Sequence, residues 1–267
     1  MKRNKKIRTL LILLIFCLLA SGSVPFARPK ATISYAKSYS LSDVPSWAGK
    51  AYVKINKNKP SFSKKQKKKR KAFVKYYELD EYDRPVKAYA CLGPETLNDK
   101  EREGIGHIKP VGWETKKYPD IIEDLYVYNR CHLLMQAAAA GVKKDDCNGY
   151  KNLITGTRYL NVDGMLTFES RILSYIKRTG NHVLYRVTPV YVGEELIARG
   201  VHMEAYSLED RGKGVKFNVY CYNMQPGITI DYLTGKTEAK EKPQEEMQLA
   251  IQNGATTVKE ITEFSLM

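Results

Sequence analysis

Residues 129–132 (Asn-Arg-Cys-His) form the densest group of side chains in this sequence that could do chemistry. Residues 125–128 have the pattern of a strand, and residues 133–140 have the pattern of a helix. We therefore expect His132 to lie at a corner between a strand and a helix, where a side chain can project into a cleft. An unperturbed imidazole has a pKa of about 6.5, so at physiological pH it is largely neutral and can accept a proton from water.

A lone histidine is more often structural than catalytic, but a second polar group favours a catalytic site. Asn161 and Glu169 are eight residues apart, in a segment whose apolar residues recur at helical spacing. On an α-helix they would lie about 80° apart and two turns along, so both could face one cleft. Amide and carboxylate oxygens suit Mg²⁺, and Mn²⁺ is an alternative because so few ligands discriminate poorly. The competing role for Asn161 is a helix N-cap.

The run at residues 129–132 resembles the Asp-Arg-Gly-His motif of the DNA/RNA non-specific endonucleases, which belong to the His-Me finger (ββα-metal) group. The resemblance extends over about residues 45–235. Within the family, the sequence is most similar to the Gram-positive branch, which includes streptococcal DNA-entry and secreted nucleases. The other matching segments are residues 105–113, 152–158, 164–165, 168–169, 179–183 and 225–228. This ordered set is far more specific than the four-residue motif alone.

The resemblance implies a catalytic and a metal-binding role for three residues. His132 would be the general base that activates the attacking water. Asn161 would be the one direct protein ligand of the metal, and Glu169 would act in catalysis by supporting the water molecules around that metal. In-line attack on the phosphodiester would then leave a 5′-phosphate and a 3′-hydroxyl.

The resemblance also implies roles near the phosphate. Arg130 of the motif would lie beside the scissile phosphate, and Arg102, further upstream, is the candidate for a second arginine of this kind. Asn152 would help to shape the site. Two positions depart from the family motif: Asn129 replaces its Asp, which removes a negative charge, and Cys131 replaces its Gly, so that the backbone there must accommodate a side chain.

The strand patterns of the chain predict its fold class. Residues 89–92, 183–187 and 215–219 alternate between apolar and polar side chains or are rich in residues typical of strands. Residues 195–207 have the pattern of a hairpin that turns at Gly200. With the helix that follows residue 166, these patterns predict an α+β domain, a central antiparallel β-sheet with flanking helices. The resemblance adds a ββα-metal motif at the active site.

The two ends of the chain predict its domain organisation and location. Residues 1–23 combine a basic start, a short apolar run and small residues, which is typical of a signal peptide or N-terminal anchor. Residues 24–44 are predicted to be a linker, residues 45–235 the nuclease domain and residues 236–267 a C-terminal tail. We expect the protein to be secreted or held at the outer face of the cell membrane through the N-terminal segment.

The charge of the chain predicts a polyanionic partner. The formal net charge is +15, and residues 54–71 carry ten Lys or Arg and no acidic residue. Such a chain attracts phosphates, with DNA and also RNA as candidate substrates, but charge alone does not exclude anionic lipid or wall polymer. Residues 54–71 could bind a polyanion or form a solvated, partly mobile surface.

Two other classes of function compete with the nuclease. A catalytically silent DNA receptor could use the same basic cleft, and a wall-associated protein could use residues 54–71 to bind wall polymer. The combination of His132, Asn161 and Glu169 argues against both alternatives, because neither needs a general base beside metal ligands.

The cysteines and remaining histidines have structural interpretations. Cys91, Cys131, Cys147 and Cys221 lie after the N-terminal segment, and four cysteines allow three disulfide connectivities, none of which the sequence favours over small buried thiols. The histidines other than His132 have no candidate ligand partners nearby, and we expect them to be structural.

Overall fold

The structure is a computed structural model that describes residues 42, 44–98, 104–122, 126–142, 147–240 and 252. All the described residues belong to one compact unit, Tyr39–Met267. The predicted signal segment, and most of the predicted linker and C-terminal tail, lie outside the described residues. Within these ranges, no helix has both the length and the apolar character needed to cross a membrane.

A six-stranded antiparallel sheet forms the centre of the domain, as predicted from the alternating strand patterns. The strands of the described chain, in order, are β1 (Tyr52–Lys54), β2 (Phe73–Tyr76), β3 (Ala88–Leu92), β4 (Tyr128–His132), β5 (Leu153–Thr157), β6 (Val183–Val190), β7 (Gly200–Ser207), β8 (Lys216–Tyr222), β9 (Ile228–Ile230) and β10 (Thr237–Ala239). The central sheet has the order β1-β8-β7-β6-β3-β2, while β4 pairs with β5 and β9 pairs with β10 in separate two-stranded sheets.

The inner face of the central sheet carries the main hydrophobic core. Alternate residues of β6 and β8 point into it, and the face predicted for Val215, Phe217, Val219 and Cys221 is confirmed because all four are buried in one cluster. The helices of the described chain are α1 (Lys64–Lys67), α2 (Gln136–Ala139) and α3 (Leu166–Thr179). Residues of α2, α3, β4 and β5 belong to the same cluster, so these elements pack on this inner face.

Helix α3 forms where apolar residues at helical spacing predict it, although Leu166 at its first position is exposed. Its buried side chains include Phe168, Ile172 and Ile176, which recur at the spacing of one helix face. The helix ends at Gly180, whose φ of 68° is left-handed and whose N–H donates to the carbonyl of Ile176. Glycine adopts this conformation without the steric cost that other residues bear, so it is a common helix terminator.

The hairpin predicted to turn at Gly200 is wrong. Gly200 begins β7, which runs unbroken to Ser207 and pairs in antiparallel register with β6. The glycine marks a close approach of side chain and backbone, because an added Cβ would lie 2.4 Å from the ring of Tyr220 and from the carbonyl oxygen of Cys221. Glycine at position 200 is therefore explained by close packing across the sheet and not by a turn.

The elements around the polar run 129–132 also differ from the prediction. The strand begins at Tyr128 and contains the whole run, so His132 is the last residue of a strand and does not lie at a corner directly before a helix. The helix predicted for residues 133–140 is limited to Gln136–Ala139. Pairing with β5 is the physical reason, because every residue of the run has a partner across that ladder.

A buried ion pair organises the outer face of the sheet. Arg186 and Glu204 lie opposite each other on β6 and β7, and the Nε of Arg186 donates to the carboxylate of Glu204 at 2.9 Å. The N–H of Ser61 donates to the other carboxylate oxygen at 2.6 Å. Burial would raise the pKa of Glu204, but the charges of Arg186 and His202 and the hydrogen bonds from Ser61 and Arg186 together outweigh that effect and lower it. Residues 55–67 are thereby attached to this face.

The four cysteines of the folded part are buried and unpaired, which confirms the interpretation as small buried thiols. Burial raises the pKa of the Cys91 thiol to about 12, and it raises the pKa of the other three as well. Thiols with such pKa values are almost entirely protonated at neutral pH and react slowly.

His182 has acidic partners on both sides, which the sequence did not indicate. Its Nδ1 lies 2.8 Å from a carboxylate oxygen of Glu209, and its Nε2 lies 3.0 Å from one of Glu95. Burial would lower the pKa of His182, but the hydrogen bonds and charges of the two carboxylates outweigh it and raise the pKa above its usual value. Protonation of His182 is therefore favoured in the folded state.

We expect this group to make stability depend on pH. A raised pKa in the folded state gives stabilisation that is complete below the unfolded pKa and is lost as pH rises through the folded pKa. The Tm should therefore fall as pH rises above the ordinary histidine pKa of about 6.5, and His182→Gln should remove that part of the fall. His107→Gln, at an exposed histidine, is the matched control. An unchanged pH dependence of Tm in His182→Gln would contradict the assignment.

Candidate active site

Four of the predicted site residues line one open cleft of about 820 Å³: His132, Arg130, Asn161 and Glu169. Each is half-buried, so each has part of its side chain in contact with the cleft and part in the surrounding structure. The cleft is lined by residues of β4, by the helical segment that follows β5, and by residues between 105 and 115. Residues that are far apart in sequence therefore share one surface.

The β4–β5 ladder and the helix after it position these residues. In the antiparallel register, His132 pairs with Leu153 and Tyr128 pairs with Thr157. The chain leaves β5 and enters a π-helix, Leu160–Met165, which continues directly into α3. The pairing with β5 thus fixes β4, and β4 and the helical segment after β5 supply the candidate residues of the cleft.

The π-helix changes the predicted geometry of the two candidate ligands. Asn161 lies on the π-helix and Glu169 lies in the first turn of α3, with a backbone hydrogen bond from Leu166 to the carbonyl of Asn161 between them. An α-helical offset of about 80° does not apply across this wider turn, yet both side chains line the cleft. The alternative N-cap role for Asn161 is wrong, because the helical backbone begins before it and the hydroxyl of Thr157 accepts the N–H of Leu160 at 2.9 Å.

The imidazole of His132 is oriented by an amide that the sequence analysis missed. Its Nε2 lies 3.0 Å from Oδ1 of Asn148. An amide oxygen only accepts hydrogen bonds, so this contact favours the tautomer with the proton on Nε2 and the lone pair on Nδ1. No pattern in the sequence marks Asn148, because it is 16 residues from His132 and the contact exists only in the folded chain.

Asn152 is fully buried and holds the chain beyond His132 in place. Its Oδ1 accepts from the N–H of Leu134 at 2.9 Å, and its Nδ2 donates to the carbonyls of Leu134 at 3.0 Å and Cys147 at 2.8 Å. Its backbone carbonyl also accepts from the N–H of Leu133 at 2.8 Å. These contacts use both polar atoms of the Asn152 amide and fix the backbone that follows His132.

The guanidinium of Arg130 is held by backbone oxygens and an aromatic ring. Its Nε donates to the carbonyl of Ile108, and a terminal nitrogen donates to the carbonyl of Gly106 at 2.5 Å. The group also lies 4.1 Å from the ring centre of Trp113. Burial lowers the pKa of Arg130 below its usual value. Within the described ranges no carboxylate pairs with this guanidinium, so its charge is available to an anion in the cleft.

Three further basic residues bear on the charge of the cleft. Arg102 lies outside the described residues, and its role stays a prediction. Arg158 and Lys109 also line the cleft, and neither was predicted from the sequence. Each lies in a segment that carries the family resemblance, residues 152–158 or 105–113, and this was the signal that could have identified them.

The departure from the family motif at Cys131 is accommodated by a glycine on the paired strand. The Cys131 side chain is fully buried in the core below β4. An added Cβ at Gly156 of β5 would lie 2.3 Å from the sulfur of Cys131 and 3.0 Å from its Cβ. The thiol at position 131 thus depends on the absence of a side chain at position 156.

The donor set of the cleft fits a hard divalent cation. Asn161 and Glu169 offer an amide oxygen and a carboxylate, and among the residues whose structure is described no cluster of three or more His, Cys, Asp or Glu could hold a metal. A zinc site of cysteine and histidine ligands does not match this arrangement. Mg²⁺ does, since it binds through few protein oxygens and keeps several water molecules.

Comparison with known proteins gives matches over most of the folded part. The family model described as DNA/RNA non-specific endonuclease matches residues 62–208. The chain is 26% identical to NucA from Streptococcus agalactiae, whose crystal structure has magnesium bound, with a TM-score of 0.62 over 70% of this chain and 86% of NucA. It shares the fold of the Sda1 nuclease, whose structure has a bound zinc ion, at 22% identity and a TM-score of 0.57 over 76% of this chain and 100% of Sda1.

A curated relative gives a shorter match. A deoxyribonuclease of Streptococcus dysgalactiae subsp. equisimilis is 36% identical over 90 residues, which are 32% of this chain and 27% of that protein. The chain therefore matches only about a quarter of that relative's length. Because the family model covers more than half of the sequence, this chain belongs to the DNA/RNA non-specific endonuclease family, as its motifs predicted.

We expect Gly156→Ala to destabilise the protein by about 1–3 kcal/mol, the usual cost of overpacking, because the new methyl group would overlap the sulfur of Cys131. Cys131→Gly should cost less on its own, about 0.5–1 kcal/mol from backbone entropy, together with the lost contacts of the thiol. The double variant should then be more stable than the sum of the two losses predicts. Urea unfolding of the four proteins measures this coupling, and simple additivity would contradict the proposed contact.

Proposed function

We propose that this protein is an exported, metal-dependent endonuclease that hydrolyses phosphodiester bonds in DNA and also in RNA. The observation that carries the proposal is that His132, Arg130, Asn161 and Glu169 line one open cleft in a member of this endonuclease family. A general base, a cation for the phosphate and two hard oxygen donors are the groups that such a hydrolysis needs.

We assign the metal to Asn161 and Glu169. Asn161 would be its direct protein ligand, and Glu169 would hold its water molecules. Mg²⁺ is the proposed ion, with Mn²⁺ as an alternative, and the magnesium bound in NucA supports the assignment. When bound, the metal ion offsets negative charge that develops on the phosphate and on the leaving oxygen.

His132 would take the proton from the attacking water. With Nε2 hydrogen-bonded to Asn148, the lone pair on Nδ1 is the basic site of the ring. Asn148 and Asn152 act on this step indirectly. Asn148 selects the tautomer, and Asn152 fixes the backbone that follows His132.

Arg130 would stabilise the charge of the phosphate in the transition state, because its guanidinium is already oriented by two carbonyl groups and the ring of Trp113. Arg158 and Lys109 line the same cleft and would attract the phosphates of the substrate. Contacts to phosphates carry little sequence information, so we expect broad sequence specificity. In-line attack would leave a 5′-phosphate and a 3′-hydroxyl.

The arrangement of β4, β5 and α3 supports assignment to the ββα-metal, or His-Me finger, motif. The proposed base lies on the first strand, and the proposed ligands lie on the π-helix and the helix that follow the second strand. We further propose that residues 45–235 form the nuclease domain, since the central sheet and the cleft both lie within these bounds.

We expect the purified protein to nick closed-circular plasmid with Mg²⁺ and not with EDTA. His132→Ala should lower the rate by about 10²–10⁴, the usual contribution of a general base, and Asn161→Ala should raise the metal concentration needed for half-maximal activity. The exposed His107→Ala variant is the control and should behave as the parent does. Gel analysis of nicked and linear plasmid measures each rate.

Binding without nicking would overturn this proposal and favour the catalytically silent DNA receptor.

Two variants of Asn148 test its role in orienting the base. Asn148→Asp should move the acid limb of the pH–rate profile to higher pH, because a carboxylate stabilises the imidazolium. Asn148→Ala should lower the rate and shift the acid limb of the pH–rate profile less than Asn148→Asp does. If Asn148 had a purely structural role, neither variant would shift the profile.

We propose that residues 1–23 direct export of the protein, on the basis of their three-part signal pattern. In a bacterial expression host we expect nuclease activity in the medium or on the outer face of the membrane. N-terminal sequencing of the mature protein distinguishes cleavage after about residue 23 from retention as an anchor. Activity that stays inside intact cells would contradict the assignment.

A further inference from the structure

The outer face of the central sheet carries a second basic surface, which the proposed catalytic cleft does not include. We define the outer basic surface as residues 59–71 together with Lys75, Lys87 and Lys216. Lys75 lies opposite Tyr89 on β3 and Lys216 lies opposite Tyr206 on β7, and both tyrosines pack in the cluster on the outer side of the sheet. Positive charge from a contiguous segment and from separate strands therefore lies on one face.

The backbone of residues 59–71 is packed against the sheet. Phe62 is buried and stacks on Tyr89 with ring centres 6.0 Å apart. Asn218 donates from its amide to the carbonyl of Lys59 at 2.7 Å. Ser63 and Gln66 form a capping box at the start of α1. The backbone is thus held in place while most of the basic side chains remain exposed.

Among the residues that the structure describes, the charges of residues 59–71 have no acidic partner. Of the acidic residues that the structure describes, none forms an ion pair with a basic residue of 59–71. Glu204, the acidic residue buried beneath the segment, pairs with Arg186. Lys75 and Lys87 both lie over the ring of Tyr77, at 4.4 Å and 4.1 Å. Burial lowers the pKa of Lys87, and the nearby charges of Arg186 and Lys75 lower it further.

The outer basic surface points away from the catalytic cleft. Cys131 of β4, Ile154 of β5 and Phe168 of α3 pack on the inner face of the sheet, whereas Phe62 packs with Cys91 and Leu184 on the outer face. Successive residues of a strand point to opposite faces, so the sheet separates the two surfaces. A short oligonucleotide bound in the cleft would therefore not contact the outer basic surface at the same time.

We propose that the outer basic surface binds the phosphate backbone of nucleic acid as a second, non-catalytic contact. The proposal rests on the proposed function, in which nucleic acid is the substrate. Lysines at this density suit sequence-independent contact with regularly spaced phosphates. A membrane surface fits less well. Binding at a lipid interface uses exposed apolar side chains beside the basic ones, and none of the exposed large apolar residues of the described chain lies in this surface.

The consequence for the enzyme is retention on long substrates. A long polymer can contact the outer surface with one stretch while another stretch enters the cleft, and the second contact raises the local concentration of substrate. Loss of the surface should therefore raise KM on long DNA and leave kcat unchanged. On an oligonucleotide too short to contact both faces, neither parameter should change.

The test uses full-length protein with four exposed lysines of the segment replaced: Lys64→Gln, Lys65→Gln, Lys68→Gln and Lys69→Gln. The matched control makes the same change of charge at exposed lysines elsewhere: Lys177→Gln, Lys213→Gln, Lys236→Gln and Lys240→Gln. Binding to a long duplex is measured in EDTA, so that it does not depend on cleavage. The Tm of each variant confirms that it is folded.

We expect the first variant to bind long duplex about tenfold more weakly. The slope of log K against log salt concentration should become shallower by about 2–4, because fewer counterions are released on binding. The control variant should change much less. Equal weakening in the two variants would overturn the proposal. So would an unchanged affinity for duplex with a lower affinity for anionic vesicles or for a polyphosphate wall polymer. Failure of the proposed function would show separately, as intact plasmid in Mg²⁺ together with normal duplex binding.

Discussion

The antiparallel pairing of β4 with β5 is the constraint on which the candidate site depends. The ladder begins with Tyr128 opposite Thr157 and ends with His132 opposite Leu153. Within it, Cys131 points into the core, while its neighbours Arg130 and His132 point the other way and line the cleft. A slip of one residue would exchange these faces and remove the base from the cleft. Asn152, at the end of the ladder, prevents such a slip by bonding the chain on the opposite side.

Local patterns predicted the parts of this structure that local forces determine. Helix α3 and its stop at Gly180 follow from apolar spacing and glycine conformation, and the buried face of β8 follows from alternation. The motif and its ordered companions located His132, Arg130, Asn161 and Glu169, and the cleft contains all four. These successes share one feature, which is that the signal lies within a short stretch of chain or in a family motif.

The features that the sequence did not predict depend on contacts between distant segments. Gly200 looked like a turn, but the ring of Tyr220 across the ladder is what excludes a side chain there. Asn148 is 16 residues from His132 and meets it through the fold of the segment between β4 and β5. The π-helix that carries Asn161 preserves the shared cleft through a geometry that an α-helical count does not describe. Likewise, the lysine-rich segment became a fixed surface because Glu204 and Arg186, far along the chain, bind Ser61.

The four unpaired cysteines give the domain internal reporters of its own opening. They lie in different places: Cys91 on β3, Cys131 beside the proposed base, Cys147 against the amide of Asn152, and Cys221 on β8. Each is buried, and burial raises the pKa of each thiol. A thiol-specific reagent can therefore modify each one only when its own segment separates from the core. The order in which the four thiols become modified reads out which layer of the domain loosens first, without any added label.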